Sequence, residues 1–198
     1  HRTDQLLRSG LIDQFYGAAR STLIPYLNPQ VYGRSILENS SFILSSVNED
    51  QDNHGRGYIA RLSGSTAEFL SIWAFLSFGA QPFRWEETKL CFAPQPFLRS
   101  DFFTVEPQEV KFQFSPTHSE TLNFPANTYA YRFLGASLVV YHNPKRGDTF
   151  GPCRVNIQGF RLRTAEGKVI ELEGSIVPSP LAEEIRAGMI PRIDVFFA

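Results

Sequence analysis

The chain has 198 residues, 42% hydrophobic and 14% aromatic, with 18 Phe among them, enough to bury one large core or two small ones. A formal net charge of -1 and a pI near 6.5 give no bulk attraction to nucleic acid or to an anionic membrane, and no basic run exceeds Lys145-Arg146. Cys91 and Cys153 stand apart without C-x-x-C spacing, so neither a disulfide framework nor a zinc site is expected, and a reducing, cytoplasmic setting fits best.

The chain opens on His1 without an initiator Met, which leads us to expect a fragment, a processed chain or a cloning boundary. Leu6, Leu7, Leu11, Ile12, Phe15 and Tyr16 then recur at helical spacing. An irregular loop follows, in which Asp50 and Asp52 read as solvated rather than catalytic. The run from His54 to Glu68 places glycines, hydroxyls and the arginines Arg56 and Arg61 directly before an apolar helix. Ser65 as N-cap and Glu68 three residues on form a capping box, and Gly79 supplies the stop. Between Phe69 and Phe78 the residues are apolar on nearly every face, so the helix is expected to be buried, with Trp73 in the core. That stretch is too short to cross a bilayer.

Residues beyond 88 read as β. Lys89–Phe92, Glu109–Phe114, Tyr129–Phe133 and Ser137–Tyr141 are short, aromatic or β-branched, and partly alternating. Arg154–Arg163 and Lys168–Gly174 flank Ala165-Glu166-Gly167 as a hairpin, with Gly167 left-handed. Pro180 is expected at the first position of a short helix running through Arg186, and Ile193–Phe197 reads as a final strand. The fold class is α+β: a helical part over residues 1–84 and an antiparallel β-sandwich over 85–198, divided near Gln81-Pro82.

The helix start is where chemistry is expected. An N-terminus presents unpaired N–H groups and the positive end of the macrodipole, and flanking glycines let a ligand approach, so the His54–Glu68 run reads as an anion- or sugar-binding site. His1, His54, His118 and His142 lack i, i+4 pairing or carboxylate spacing, so no metal is expected. Cys91 reads as a buried, inert thiol, and Trp85 stands open as a sugar-stacking candidate.

Two segments, Asn28–Ile43 and Arg61–Trp73, resemble the C-terminal part of the cellobiose and chitobiose phosphorylase family, and the tail from Phe133 to Ala198, including Tyr141-His142-Asn143-Pro144, is similar in character to its terminal β domain. The resemblance implies an inverting enzyme that splits a β-glycosidic bond with inorganic phosphate, the phosphate being a co-substrate rather than a cofactor. It implies helices belonging to an (α/α)6 barrel, then a jelly-roll-like sandwich. The family's Glu-Asn-Gly motif looks like Glu38-Asn39-Ser40, which makes Glu38 and Asn39 sugar contacts, and its Arg-Thr-Gly motif looks like Leu62-Ser63-Gly64. Arg61, Ser63, Gly64 and Ser65 are thereby the phosphate-binding candidates, and Glu38, Asn39, Ser45 and His54 the substrate-binding ones.

The chain departs from the family at two points. Ser45 and Ser46 stand where the family carries a phosphate-binding histidine, the nearest one here being His54, and the segment between the two motifs is shorter. The aspartate acid of the family lies upstream, so no catalytic residue is assigned within this chain. The implied partners are a β-linked oligosaccharide, the N-terminal part of the same polypeptide and a second copy of the chain. Two alternatives stay open: a hydrolase or transglycosylase of the same fold, and a non-catalytic carbohydrate-binding or assembly module.

Overall fold

The computed structural model describes residues 2–22, 30, 44–56, 64–115 and 118–198. The chain divides into two compact units, His1–Phe75 and Leu76–Ala198, which meet inside a helix; the sequence reading puts the division between residues 84 and 85.

In the first unit the helical pattern is split in two. Helix α1 (Arg2–Arg8) ends where the Gly10 N–H donates to Leu7 O at 3.1 Å and the Leu11 N–H to Leu6 O at 2.9 Å, the paired bonds of a Schellman stop. Helix α2 (Ile12–Thr22) follows at once. Leu7 and Phe15 are buried, whereas Leu11 is 43% exposed, so the apolar spacing seen in the sequence marks the packed faces only in part. Asp4 and Arg8 pair at 2.9 Å across one turn of α1, with the acid N-terminal as the dipole prefers.

Helix α3 (Gly64–Phe78) begins one residue before the expected cap. Ser65 therefore lies in the first turn and is not the N-cap, because helical backbone is already established at Gly64. The helix is also not buried all round. Ile72 and Leu76 form a buried i, i+4 stripe, whereas Leu70 is 61% exposed and Trp73 38% exposed. An apolar composition on every face does not supply a neighbour on every face. Among the described residues α1, α2 and α3 form no closed ring of helices.

The second unit is β-rich. Strands β1 (Phe83–Glu86) and β2 (Lys89–Phe92) form one hairpin, and β3 (Gln108–Ser115) and β4 (His118–Phe124) another. Strands β5 (Thr128–Phe133), β6 (Ser137–His142), β7 (Ile157–Arg163), β8 (Val169–Glu173) and β9 (Arg192–Phe197) make a five-stranded sheet in the order β5-β6-β9-β7-β8. One junction corrects the expectation of a wholly antiparallel arrangement: β9 runs parallel to β6, with Val139 opposite Ile193 and Tyr141 opposite Val195. Because β6 and β7 run in opposite directions, a strand inserted between them cannot be antiparallel to both, and β9 is antiparallel to β7.

Alternation gives this sheet two faces. Tyr131, Phe133, Val139, Tyr141, Phe160, Leu162, Ile193 and Val195 line the inner face and are all buried. There Phe92 of β2 meets Phe133 at 5.5 Å and Phe160 at 6.3 Å between ring centroids, and Phe92 bonds the backbone of Val177 in both directions. On the outer face Leu138 and Val140 pack with Phe124, Phe112 and Leu122 of the β3–β4 hairpin. Helix α4 (Leu181–Arg186) starts one residue later than expected, since Pro180 precedes it and accepts the Glu183 and Glu184 N–H groups at 3.0 and 3.1 Å. The β7–β8 turn is as read, with Gly167 at φ +82°.

The last turn of α3 belongs to this second unit, and its terminal carbonyls are all satisfied there. Phe97 N–H donates to Leu76 O at 2.8 Å, the Tyr141 hydroxyl to Ser77 O at 2.7 Å, and Gln95 N–H to Phe78 O at 3.0 Å. Gly79 permits the turn at φ +82°, and a Cβ there would stand 2.8 Å from Gln95 O.

Candidate functional site

Two of the phosphate-site candidates, Gly64 and Ser65, lie at the start of α3. Gly64 is its first residue, Ser65 the second, and the first turn of this 15-residue helix carries no acidic residue. Arg61 and Ser63, the other phosphate candidates, lie outside the described residues, as do Glu38 and Asn39.

Ser45 and His54 belong to one closed loop: Leu44 N–H donates to Arg56 O at 3.0 Å and Gly55 N–H to Leu44 O at 2.9 Å, which joins its two ends through the backbone. Inside the loop Asn48 N–H reaches Ser45 O at 3.1 Å, and a short 3-10 turn spans Gln51–Asn53. The His54 Nε2 lies 2.7 Å from Asn48 O. A carbonyl can only accept, so Nε2 carries the proton and Nδ1 is the acceptor of the neutral ring. Ser45 Oγ accepts the Val47 N–H at 3.3 Å and keeps its own proton to donate.

The loop acids behave as solvated groups. Asp50 and Asp52 are exposed, and Asp50 Oδ2 accepts from the Asn53 amide while Arg56 donates to Asn53 Oδ1 at 2.7 Å. Among the described residues no group of three or more His, Cys, Asp and Glu side chains could hold a metal ion. Cys91 is buried and free, Cys153 exposed and free, and burial pushes the Cys91 thiol up, with the Glu86 charge adding to it. Trp85 stands 65% exposed on β1, and Trp73, expected in the core, is a surface residue of α3.

One polar cluster went unread in the sequence. On the outer sheet face Arg192 chelates Asp194, Nε to Oδ2 at 2.9 Å and the terminal nitrogen to Oδ1 at 3.0 Å, and His142 Nε2 lies 2.8 Å from the same Oδ1. Burial pushes the Asp194 carboxyl up, but the His142 and Arg192 hydrogen bonds and charges outweigh it and hold the group below the usual carboxylate range. Next to it Phe196 is stacked on His142 at 4.8 Å and carries the Arg161 guanidinium 5.2 Å from its centroid. The signal was available: once Arg192–Phe197 is a strand, Arg192, Asp194 and Phe196 must share one face.

No family model and no curated protein matches the chain. Among the described residues no helix is long and apolar enough to cross a membrane.

Proposed function

We propose that the chain is the phosphate- and sugar-contacting C-terminal part of a glycoside phosphorylase-like enzyme of the cytoplasm, acting on a β-linked oligosaccharide. In this reading α1, α2 and α3 are late helices of an (α/α)6 barrel, and the β-rich unit is its jelly-roll-like companion. The observation that carries the reading is the start of α3 at Gly64, within the segment that resembles the family's phosphate motif, with no acid in its first turn. Arg61 would add the positive charge that a hydroxyl cannot, and Ser63 and Ser65 the hydroxyls. Glu38, Asn39, Ser45 and His54 would meet the sugar.

The chemistry balances without a cofactor. A carboxylic acid from the preceding part of the polypeptide protonates the glycosidic oxygen as its bond to the anomeric carbon breaks. A phosphate oxygen attacks that carbon from the opposite face, giving an inverted sugar 1-phosphate and a free sugar. The test uses the polypeptide that carries this chain together with its preceding part. Incubated with cellobiose and phosphate, it should release a sugar 1-phosphate visible by phosphorus NMR, and Arg61→Ala or Ser63→Ala should raise the KM for phosphate about tenfold or more. Equal cleavage without phosphate would overturn the reading.

The second reading is hydrolysis or transfer by the same architecture, favoured by Ser45 and Ser46 standing where the family has its phosphate-binding histidine. Water or a second sugar would then replace phosphate, and the product would carry no phosphorus.

A further inference from the structure

We propose that the uncovered half of the outer sheet face, over β7, β8 and β9, binds a neutral saccharide. The β3–β4 hairpin covers the other half through Leu138 and Val140. What it leaves open is a groove of about 400 Å³ lined by Gln158, Gly159, Arg161, Glu171, Glu173 and Phe196.

Three properties of that groove select the ligand. Its floor is lowered at Gly159, where the register with β9 shifts and a Cβ would stand 2.7 Å from Leu172 O, so no side chain can fill it. Its hydrogen-bonding groups are mixed and partly unspent: Arg161 Nε donates to Glu171 Oε1 at 2.9 Å, whereas the Gln158 amide and the Glu173 carboxylate have no hydrogen-bond partner among the described residues. One guanidinium faces two carboxylates, a balance that does not favour a phosphate or any other anion. Planar amide, carboxylate and guanidinium groups alternating donors and acceptors beside an aromatic flank match the vicinal hydroxyls of a sugar ring. The faces of Phe196 are taken by His142 and Arg161, so hydrogen bonds rather than ring stacking carry the affinity, and it is weak.

The site shares with the proposed function only the saccharide class and uses none of the phosphate-site residues. The experiment is calorimetric titration of the 198-residue chain with cellotetraose, xylotetraose and maltotetraose, and with inorganic phosphate as a further probe. At least one sugar is expected to bind saturably, and the double variant Gln158→Ala/Glu173→Ala to weaken it at least about tenfold with an unchanged Tm. Heat from phosphate, if present, should be the same in the variant. The proposal is overturned if none of the three sugars binds, if the double variant binds as the wild type does, or if Trp85→Ala abolishes binding while the double variant does not. Phosphorolysis of cellobiose by the longer polypeptide, measured with the same double variant, separates the two readings: it should be unaffected, since the groove shares no residue with that chemistry.

Discussion

The Tyr141 hydroxyl donates to the backbone carbonyl of Ser77 at 2.7 Å, across 64 residues of sequence, and in doing so ties the end of α3 to the middle of a sheet. Because Tyr141 spends its proton there, it accepts from Tyr131 at 3.0 Å, while Ser77 Oγ pairs with the Tyr129 hydroxyl at 2.7 Å. All of these hydroxyls are buried and all are satisfied. Such a network stabilises little relative to an apolar core but is costly to break.

Tyr141→Phe should therefore destabilise the fold by about 1–3 kcal/mol, since it removes the donor to Ser77 O and the acceptor of the Tyr131 hydroxyl at nearly constant shape. Urea denaturation followed by circular dichroism reads this as a lower midpoint at unchanged slope. A midpoint equal to that of the wild type would remove the network from the stability of this unit.

Gly79→Ala should cost about 1–3 kcal/mol by a different route, strain at φ +82° compounded by the 2.8 Å approach to Gln95 O. Gly151→Ala serves as the comparison, with φ +81° and open space around its Cβ. Gly79→Ala should lower the Tm further than Gly151→Ala, and equal losses would mean that the close approach is harmless.

Alkaline titration should single out three buried tyrosines, Tyr129, Tyr131 and Tyr141. Burial pushes Tyr129 up to about 12, and pushes Tyr131 and Tyr141 up as well. With the folded pKa raised, the stabilisation is complete below the unfolded value of about 10 and is lost as pH rises through the folded one. Absorbance near 295 nm should show the ionisation of these three only at about pH 12 or on unfolding. A single transition near pH 10 in the folded protein would contradict the buried network.

Acid should act on Asp194. Its folded pKa lies below the ordinary carboxylate value, so its contribution is present above about pH 4 and is lost as pH falls from there through the folded pKa. Asp194→Asn should flatten the fall of unfolding free energy in that window relative to the wild type. Parallel curves would show that the Arg192 and His142 bonds do not hold the carboxylate.

The sequence was most readable where pattern and partner are both local. Strands β5, β6, β8 and β9 were found from their aromatic and β-branched alternation, and the β7–β8 turn from Gly167. Strands β1 and β4 were not, because Phe-Arg-Trp-Glu and His-Ser-Glu-Thr-Leu-Asn-Phe carry too much polarity for an apolar signal and depend on their hairpin partners. The parallel β6–β9 pairing is non-local and leaves no mark in either strand. The exposure of Leu70 and Trp73 is a statement about neighbours, which composition does not contain. At the candidate site, the helix start is legible to within a residue, but the closure of the loop that carries Ser45 and His54 is made by backbone bonds of Leu44, Gly55 and Arg56, to which side-chain identity gives no clue.

The placement of β9 orders assembly in time. β5 with β6 and β7 with β8 are antiparallel neighbours in sequence and can each form as soon as they are synthesised, yet β6 and β7 touch the same strand, Arg192–Phe197, and not each other. Two local ribbons must wait for the last strand to emerge before they become one sheet, so on the ribosome both would expose unpaired edges until that moment. A nascent chain halted before residue 192 would be a pair of sticky hairpins rather than a shortened domain.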